Sequence, residues 1–267
     1  MTPAISAVIV SYNTRELLLQ CLESLRVFSG ALETIVVDND SADGSASAVR
    51  ERRPDVRLIA SPQNLGFSKA NNLGLQAATA PYLLVLNSDA AVRAGTLETL
   101  AEILDTRPDV GLVGPRTVGA DGRCQVSFGP DLTPWNEWRQ RKLVLAVKRR
   151  DAAALRRLEA MAAAEHEPAW ISGSCFLARR DLLLRLGGFD EGFFLYEEDV
   201  DLCVRVRKAG FRVLFTPRAE IVHHLGRSME KASERAREEY RRSHVRFYKK
   251  HNGAFWTLAL RIWTAFD

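Results

Sequence analysis

Short apolar runs alternate with amphipathic segments through the first 115 residues. Five apolar runs predict buried strands, at residues 5–11, 34–38, 56–60, 82–87 and 110–113. The intervening segments carry apolar residues at helical spacing and predict helices over residues 15–28, 45–53, 68–78 and 96–104. This alternation is typical of a doubly wound α/β sheet built from βαβ units.

The pattern changes after residue 114. Ala120-Asp121-Gly122 predicts the turn of a hairpin, and two polar helices are predicted over residues 135–148 and 151–165. Core-like sequence resumes over residues 170–178, 182–186, 200–208 and 213–215. After His224 the chain is charged and predicted to be helical up to Lys250, before an apolar, aromatic tail. Because we find no repeats and no low-complexity linker, we expect both halves to share one continuous body.

The composition narrows the class of protein. The 267 residues are 46% hydrophobic and 26% charged, which fits one α/β domain or two fused half-domains. The net charge of +4 permits phosphate-bearing partners but is too small to indicate nucleic-acid binding. The four cysteines form no C-x-x-C pair, so we expect a reducing compartment and neither a zinc site nor a redox motif. With no basic leader and no apolar run of ~20 residues, we expect a cytoplasmic protein, soluble or peripheral to a membrane.

Polar residues follow four successive predicted strands of the first half. They are Ser11, Tyr12, Asn13; Asp38, Asn39; Asn64, Gly66, Phe67; and Asn87, Ser88, Asp89. Ligands of open parallel sheets bind beyond the carboxyl ends of the strands, so these residues are suited to nucleoside and metal binding. Asp43 and Ser45 favour capping of the next helix, whereas Asp38 and Asp89 end apolar strands and favour contact with a ligand.

Several of these segments resemble the motifs of family 2 glycosyltransferases. They read VIVSYN at residues 8–13, VVDN at 36–39, NLGF at 64–67 and LNSD at 86–89. The later segments WISGS at residues 170–174, GGFDE at 187–191 and FLYEEDVDL at 194–202 resemble the acceptor side of the same family. The motifs keep their order over residues 5–228. Within the family, the likeness is to rhamnosyltransferase-like enzymes of bacterial cell-wall and surface-polysaccharide assembly.

The resemblance implies a GT-A fold with one continuous mixed sheet. A nucleotide-sugar-binding half would occupy residues 1–115, an acceptor half residues 116–228, and a basic, amphipathic helical extension residues 229–267. The implied activity is inverting transfer of rhamnose or another hexose from a dTDP- or UDP-sugar. The acceptor would be a saccharide or a lipid-linked hydroxyl at the inner face of the cell membrane.

The resemblance also assigns donor and metal contacts. Donor contacts are expected at Ser11, Tyr12, Asn13, Asp38, Asn39, Asn64, Gly66, Phe67, Asn71, Asn87, Ser88, Asp89 and Arg227. The family's Asp-x-Asp motif reads Asn87-Ser88-Asp89, so Asp89 remains as a ligand for Mg²⁺ or Mn²⁺ and Asn87 can still bond the donor. The H-x-x-G-x-S spacing points to His223 as a second metal or diphosphate contact, with a structural histidine as the alternative. Arg227 and Ser228 reach the diphosphate or simply begin the next helix.

A nucleoside diphosphate neutralised by a metal leaves without a protein acid, so the reaction needs one carboxylate as a base. The family motif places this base at Asp199, with Glu198 orienting the acceptor or the base. Asp199 begins a predicted helix, whose dipole favours the ionised form. The alternative is that these acids are only first-turn charges. The resemblance assigns acceptor contacts to Trp170, Gly173, Ser174 and Glu197.

Residues 235–250 are rich in Arg, Lys and aromatic side chains and lead into the aromatic tail. This pattern favours contact with an anionic bilayer or with a lipid pyrophosphate, while packing on the sheet and a homodimer contact remain as alternatives. The incomplete Asp-x-Asp motif leaves a second function open, a catalytically silent nucleotide-sugar-binding partner in a polysaccharide assembly complex. Nucleotidyltransferases and dinucleotide oxidoreductases are disfavoured because no Gly-rich phosphate loop follows the first strand.

Overall fold

A computed structural model describes residues 4–224 and 234–253, together with residues 256, 257 and 260. Its strands are β1 (Ile5–Ser11), β2 (Leu32–Asn39), β3 (Arg57–Ser61), β4 (Tyr82–Asn87), β5 (Ala90–Val92), β6 (Val110–Val118), β7 (Phe128–Gly129), β8 (Trp170–Ile171), β9 (Cys175–Arg179) and β10 (Arg212–His223). Its α-helices are α1 (Arg15–Ser24), α2 (Ser45–Arg52), α3 (Gly66–Ala77), α4 (Thr96–Thr106), α5 (Pro134–Lys148), α6 (Ala152–Met161), α7 (Arg180–Arg185), α8 (Glu198–Lys208) and α9 (Glu234–His251).

Eight strands form one mixed sheet in the order β3-β2-β1-β4-β9-β6-β10-β5. Strands β3, β2, β1 and β4 are parallel, whereas β9 runs antiparallel to both of its neighbours, β4 and β6. The strands of the first half and those of the second half therefore belong to a single sheet. The predicted continuous α/β body is confirmed.

The sheet is buried on both faces because its strands are apolar on both sides. Alternate side chains of β1 point to opposite faces of the sheet. Ile9 packs on one face with Leu22 of α1 and Leu100 of α4, and Val8 packs on the other face. The second face is covered by α3, α7 and α8. Continuous apolar strands of this kind are what a parallel sheet between two helical layers requires. The four cysteines are buried as free thiols.

Some predicted bounds differ from the structure. The predicted helix at residues 15–28 ends at Ser24 and continues as a short 3₁₀ turn over Leu25–Val27. The predicted helix at residues 151–165 ends at Met161, because His166 leaves to pair with Phe215 of β10. Strand β6 runs past residue 113 to Val118, since β10 pairs with it along this length. The hairpin turn at residues 120–122 is confirmed by the bridge between Val118 and Cys124.

Helix α9 packs on the fold. Its Phe247 and Tyr248 join Phe193, Val200 and Leu260 in a third apolar cluster beside α8. The sequence left membrane contact, packing on the fold and a homodimer contact as alternatives for this basic segment. For the face of α9 that carries Phe247 and Tyr248, packing on the fold is observed. Within the described part of the chain, every helix is too short or too polar to cross a bilayer.

Candidate functional site

The carboxyl ends of β1, β2 and β4 meet at one edge of the sheet. Ser11 is in register with Asp38, and Val10 is in register with both Val37 and Asn87. Because the three strands are parallel and adjacent, the polar residues that end them converge there. We call Ser11, Asp38, Asn39, Asn87 and Asp89 the sheet edge.

Asn39 fixes the loop that precedes α3. Its amide nitrogen donates to Asn64 Oδ1 at 2.9 Å, and its oxygen accepts the Leu65 N–H at 2.8 Å. This loop ends at Gly66, whose φ of +79° is a conformation that residues with a Cβ rarely adopt. A Cβ at Gly66 would lie 2.4 Å from the Phe194 carbonyl oxygen, and the Phe67 N–H donates to that oxygen at 2.7 Å. The loop is therefore joined to the segment around Phe194.

A chain of hydroxyl groups crosses the sheet edge. Ser11 Oγ lies 3.1 Å from Thr14 Oγ1, which lies 2.8 Å from Ser88 Oγ. Asn13 has a φ of +54° and accepts the Ala42 N–H at 2.8 Å, while Tyr12 beside it is 49% exposed. Thr14 was not singled out from the sequence, because a Thr before a helix is an ordinary capping residue.

Two buried acceptor atoms in this region have no hydrogen-bond partner among the described residues. Asp38 accepts the Ser41 N–H through Oδ2, but its Oδ1 has no partner. Asn71 donates to the Phe67 carbonyl, but its Oδ1 likewise has none. A buried acceptor without a donor is costly, so both atoms are candidates for bonds to a ligand.

His223 lies against the Asn87-Ser88-Asp89 segment. Its Nε2 is 3.1 Å from Asp89 Oδ1 and 3.5 Å from Asn87 Nδ2. The His223 carbonyl accepts a hydrogen bond from the Gln125 side chain. The neighbouring His224 contacts this segment through its backbone, whose N–H donates to the Asp89 carbonyl. Asp89 and His223 thus form a pair of oxygen and nitrogen donors.

This pair fits a divalent cation that takes its other ligands from a diphosphate and water. It does not form a complete protein cage, since the described residues contain no cluster of three or more acidic, His or Cys side chains suited to a metal. One carboxylate is missing because Asn87 occupies the position of the first Asp in the family's Asp-x-Asp motif.

The segment Gly173-Ser174 connects the sheet edge to the acidic residues. The Asn87 N–H donates to the Ser174 carbonyl at 2.9 Å, and the Gly173 N–H donates to Asp199 Oδ2 at 2.7 Å. Gly173 packs between Phe67 and Asp199, since a Cβ there would lie 3.3 Å from the Phe67 ring and 3.5 Å from Asp199. Trp170, the first residue of β8, packs against Gly129 with its indole nitrogen unpartnered among the described residues.

Asp199 and Glu198 both have raised pKa values. Burial raises the pKa of Asp199 to about 6, although the N–H groups of Gly173 and Val200 lower it. Burial, and then the charge of Asp199, raise the pKa of Glu198 well above its usual value. Glu198 Oε2 is buried without a partner among the described residues. At neutral pH, Asp199 is therefore largely the carboxylate, and Glu198 holds a proton more strongly than an ordinary Glu does.

The acidic loop, residues 194–199, is held by α9. Tyr196 and Glu197 have φ values of +70° and +65°, two consecutive left-handed residues that contacts from outside the loop must stabilise. His244 of α9 lies between the buried carboxylate of Glu197 and the partly buried carboxylate of Glu137 on α5, with Nδ1 3.1 Å from Glu197 and Nε2 2.9 Å from Glu137. Burial lowers the pKa of His244, but the bonds to Glu137 and Glu197 outweigh it and raise that pKa to about 9.

Other residues of α9 anchor the same region. Ser243 Oγ donates to the Leu195 carbonyl at 2.7 Å, and His251 Nε2 lies 2.7 Å from the fully buried Asp201. Burial acts to raise the pKa of Asp201, but its bonds to His251, Lys250 and Arg205 lower it to about 2. The sequence carried one signal for these contacts, the i, i+4 spacing of Tyr240, His244 and Tyr248 on a charged helix.

The remaining predicted residues are accounted for as follows. Asp43 accepts the N–H groups of Arg15 and Ser45 and so joins the starts of α1 and α2, but the N-cap residue of α2 is Gly44, without a side-chain cap. Arg227 and Ser228 lie outside the described residues, as does most of the aromatic tail. The Glu197 carboxylate, predicted as an acceptor contact, is 8% exposed and bonded to His244 through Oε1.

Comparison with known proteins agrees over nearly the whole chain. A family model described as glycosyltransferase like family 2 matches residues 3–248. An N-acetylglucosaminyl-diphospho-decaprenol L-rhamnosyltransferase of Mycobacterium tuberculosis is 30% identical, over 99% of this chain and 90% of that protein. A pre-mycofactocin glycosyltransferase of the same organism is also 30% identical, over 82% of this chain and 42% of its own length.

Solved structures agree with the fold. The mannosyltransferase PcManGT from Pyrobaculum calidifontis, in complex with GDP-Man and Mn²⁺, has a TM-score of 0.63 at 22% identity. That match covers 94% of this chain and 64% of the archaeal one. S. aureus TarS 1–349 in complex with UDP-GlcNAc has a TM-score of 0.58 at 19% identity, over 86% of this chain and 61% of TarS 1–349. The predicted GT-A architecture is confirmed.

Proposed function

The chain belongs to glycosyltransferase family 2, and we propose that it transfers rhamnose or another hexose from a nucleotide-sugar donor to an acceptor hydroxyl. The donor is a dTDP- or UDP-sugar, and the acceptor is a saccharide or a lipid-linked saccharide at the inner face of the membrane. The name of the mycobacterial relative, which this chain covers to 90%, supports both rhamnose and a lipid diphosphate. The nucleotide sugars bound by the structural neighbours support the donor class.

The observation that carries this proposal is the state of Asp199. The Gly173 N–H donates to its carboxylate, and the next residue, Ser174, accepts the Asn87 N–H at the sheet edge. The Asp199 pKa of about 6 suits a general base near neutral pH. A carboxylate that only caps a helix would not need this raised pKa or a fixed bond to the turn between β8 and β9. A silent nucleotide-sugar binder would need neither.

In the proposed reaction, Asp199 accepts the proton of the acceptor hydroxyl. The hydroxyl oxygen forms a bond to the anomeric carbon from the face opposite the diphosphate, and the bond between that carbon and the diphosphate oxygen breaks. The electron pair leaves on the nucleoside diphosphate, so the configuration at the anomeric carbon inverts. Glu198, whose pKa is raised by burial and by the charge of Asp199, orients the acceptor or Asp199.

Residues of the sheet edge hold the donor in this proposal. Asp38 Oδ1 and Asn71 Oδ1 accept bonds from the donor, and Ser11, Tyr12, Asn39, Asn64, Gly66, Phe67 and Ser88 shape its site. Asp89 and His223 would hold a Mg²⁺ or Mn²⁺ ion, with Asn87 bonding the diphosphate. When bound, the cation supplies positive charge for the departing diphosphate. Arg227 is assigned to the same diphosphate.

The acceptor side comprises Trp170, Gly173, Ser174 and the acidic loop. Residues 1–115 are assigned to donor binding and residues 116–228 to acceptor binding. Glu197 acts mainly by positioning the loop, because its side chain is bonded to His244.

A screen of donors tests the proposal. The full chain is incubated with dTDP-rhamnose, UDP-GlcNAc or UDP-glucose, with Mg²⁺, Mn²⁺ or EDTA, and thermal shift and transfer to a lipid-diphosphate saccharide analogue are measured. We expect one donor class to raise the Tm in the presence of metal and to be transferred, and NMR of the product to show the inverted anomer. Binding without transfer to any acceptor would favour the silent binder, and a retained anomer would refute Asp199 as a simple base.

A further inference from the structure

Helix α5 presents an exposed stripe that the proposed reaction does not use. Trp135, Trp138, Lys142, Leu145 and Arg149, which directly follows the helix end, are spaced alternately by three and four residues. At about 3.6 residues per turn, these positions fall within an arc of roughly 80°. All five side chains are exposed, with Trp135 at 63%, Trp138 at 41% and Leu145 at 44%. We call these five residues the α5 stripe.

The stripe faces away from the body of the protein. On other sides of the same helix, Leu143 is buried, and Glu137 bonds to His244 and Tyr248 of α9. These inward contacts fix the rotation of α5. The exposure of the stripe is therefore a property of the folded chain and not of a loosely attached helix.

The two indoles of the stripe are ordered by their neighbours. The rings of Trp135 and Trp138 stack with centroids 5.0 Å apart and an angle of 19°, and Lys142 Nζ lies 3.5 Å from the Trp138 ring centroid. Contiguous exposed apolar surface of this kind marks an interaction site. Tryptophan, with an apolar ring and one N–H donor, is the residue enriched where lipid headgroups meet water.

The charges around the stripe are of one sign. Every charged side chain exposed on α5 and in the two residues after it is a cation: Arg139, Arg141, Lys142, Lys148, Arg149 and Arg150. No carboxylate in the described part of the chain pairs with Lys142 or Arg149. The next acid, Asp151, accepts the Ala154 N–H as the cap of α6. Lys142, Leu145, Ala146, Arg149 and Asp151 line an open depression of roughly 390 Å³ at the end of the stripe.

We propose that the α5 stripe docks onto an anionic phospholipid bilayer. The indoles and Leu145 enter the boundary between headgroups and acyl chains, while Lys142 and Arg149 extend their charges to the lipid phosphates. A stripe about 21 Å long, from 14 residues at about 1.5 Å each, suits a flat partner. A second copy of this chain is a poorer occupant, because a symmetric contact would bring the same cations together.

The position of the stripe relates it to the site. Glu137, on the inward side of α5, bonds to His244, which bonds to Glu197 in the acidic loop. This inference rests on the proposed function, in which the membrane contains a lipid-linked acceptor. Docking through α5 brings the acidic loop close to that membrane. The C-terminal segment, in contrast, uses one face of α9 to pack on the fold.

Vesicle co-sedimentation of the full chain tests the proposal without any sugar transfer. Vesicles of phosphatidylcholine alone are compared with vesicles that also contain phosphatidylglycerol, and tryptophan emission is followed. Trp135→Ser/Trp138→Ser removes the indoles, with Val27→Ser as an exposed apolar control. Lys142→Glu/Arg149→Glu reverses two charges, with Arg50→Glu/Arg52→Glu on α2 as a control of equal net charge. Circular dichroism and Tm show that each variant folds.

We expect binding to anionic vesicles with a blue shift of the emission, and little binding to neutral ones. Each stripe variant loses at least about tenfold in vesicle affinity, and each control stays within about twofold. The inference is overturned by absent vesicle binding, by stripe variants that bind like the wild type, or by controls that lose as much as the stripe variants. A concentration-dependent dimer that dissociates in the Trp variant would identify a second copy as the occupant instead. Transfer to a soluble acceptor without vesicle binding would refute only this inference, and vesicle binding without transfer only the proposed function.

Discussion

The sheet edge and the acidic loop contribute to one site but are held in different ways. At the sheet edge, each polar residue follows its own strand, and the register of β1, β2 and β4 sets the geometry. The acidic loop has two consecutive left-handed residues and no strand of its own, and it is fixed by Ser243 and His244 from α9. The first region depends on local strand geometry. The second depends on contacts across about fifty residues of chain, so the proposed base and the proposed donor site can be perturbed separately.

The largest expected effect is a loss of sugar transfer without a loss of donor binding. We expect Asp199→Asn to reduce transfer by roughly 10²- to 10⁴-fold, because the amide cannot accept the hydroxyl proton. Donor affinity, measured by calorimetry, should stay within about twofold, since Asp199 contacts Gly173 and not the sheet edge. Glu51→Gln on the exposed face of α2 is the control and should change neither value. Transfer at near wild-type rate by the Asn variant would exclude Asp199 as the base.

Removal of His244 should disturb the acidic loop and not the sheet edge. His244→Ala leaves the buried Glu197 and the partly buried Glu137 without their cation, which costs about 3–5 kcal/mol of unfolding free energy. Adding Glu137→Gln should recover part of this loss by removing one of the acids. On the same helix, Arg242→Ala breaks only exposed pairs and should cost less than about 1 kcal/mol. Urea unfolding measures the three variants and the wild type, and an equal cost for His244→Ala and Arg242→Ala would show that the buried bonds do not hold the loop.

Gly66 is where the two regions touch, and Gly95 provides a matched control. Both have a φ of +79°, but a Cβ at Gly66 would meet the Phe194 carbonyl, whereas nothing lies within 4 Å of one at Gly95. We expect Gly95→Ala to cost about 1 kcal/mol for its backbone conformation, and Gly66→Ala to cost about 1–3 kcal/mol more. Gly66→Ala should also lower kcat/KM, because it moves the acidic loop away from the donor site. Equal Tm values for the two variants would refute a fixed contact at Phe194.

The pH dependence of activity should report Asp199. Because its pKa is raised to about 6, the base form prevails above that pH, and kcat/KM should fall about tenfold per pH unit below it. Donor binding, measured over the same range, separates this titration from any loss of the donor site. A profile that stays flat down to about pH 4.5 would mean that Asp199 titrates near its usual value.

The last prediction concerns stability at alkaline pH. His244 faces Glu137, Glu197, Tyr240 and Tyr248, and its pKa of about 9 in the folded protein exceeds the value of about 6.5 in an unfolded chain. Its stabilisation is thus complete below pH about 6.5 and is lost as the pH rises through about 9. The unfolding free energy should decline over this window in the wild type and decline less in His244→Gln. Parallel curves for the two proteins would contradict a charged His244.

The sequence predicted the sheet better than the acidic loop, for a physical reason. A parallel strand buried on both faces is an uninterrupted apolar run, so β1 and β4 were predicted with their observed bounds. The strand ends then indicated Ser11, Asp38 and Asp89, since adjacency of parallel strands is enough to bring their ends together. The three-residue β5 was missed because so short a strand has no period to detect.

The contacts of the acidic loop were missed because they are specified by tertiary packing. Glu197 and His244 are 47 residues apart in the chain, and Glu137 lies 60 residues before Glu197. No spacing rule relates such positions. The resemblance of the acidic motif to its family suggested Asp199, but not which side chains would hold the loop around it.

The late position of α9 in the chain has a consequence for biosynthesis. All ten strands in the described part of the chain precede it, so a nascent chain can complete this sheet on the ribosome while Glu137 and Glu197 still lack the imidazolium between them. A chain cleaved after His224 would retain the donor residues from Ser11 to His223 and lose every α9 contact to the acidic loop. We expect such a fragment to lose the positioning of the acidic loop, because Ser243 and His244 supply the bonds that hold it.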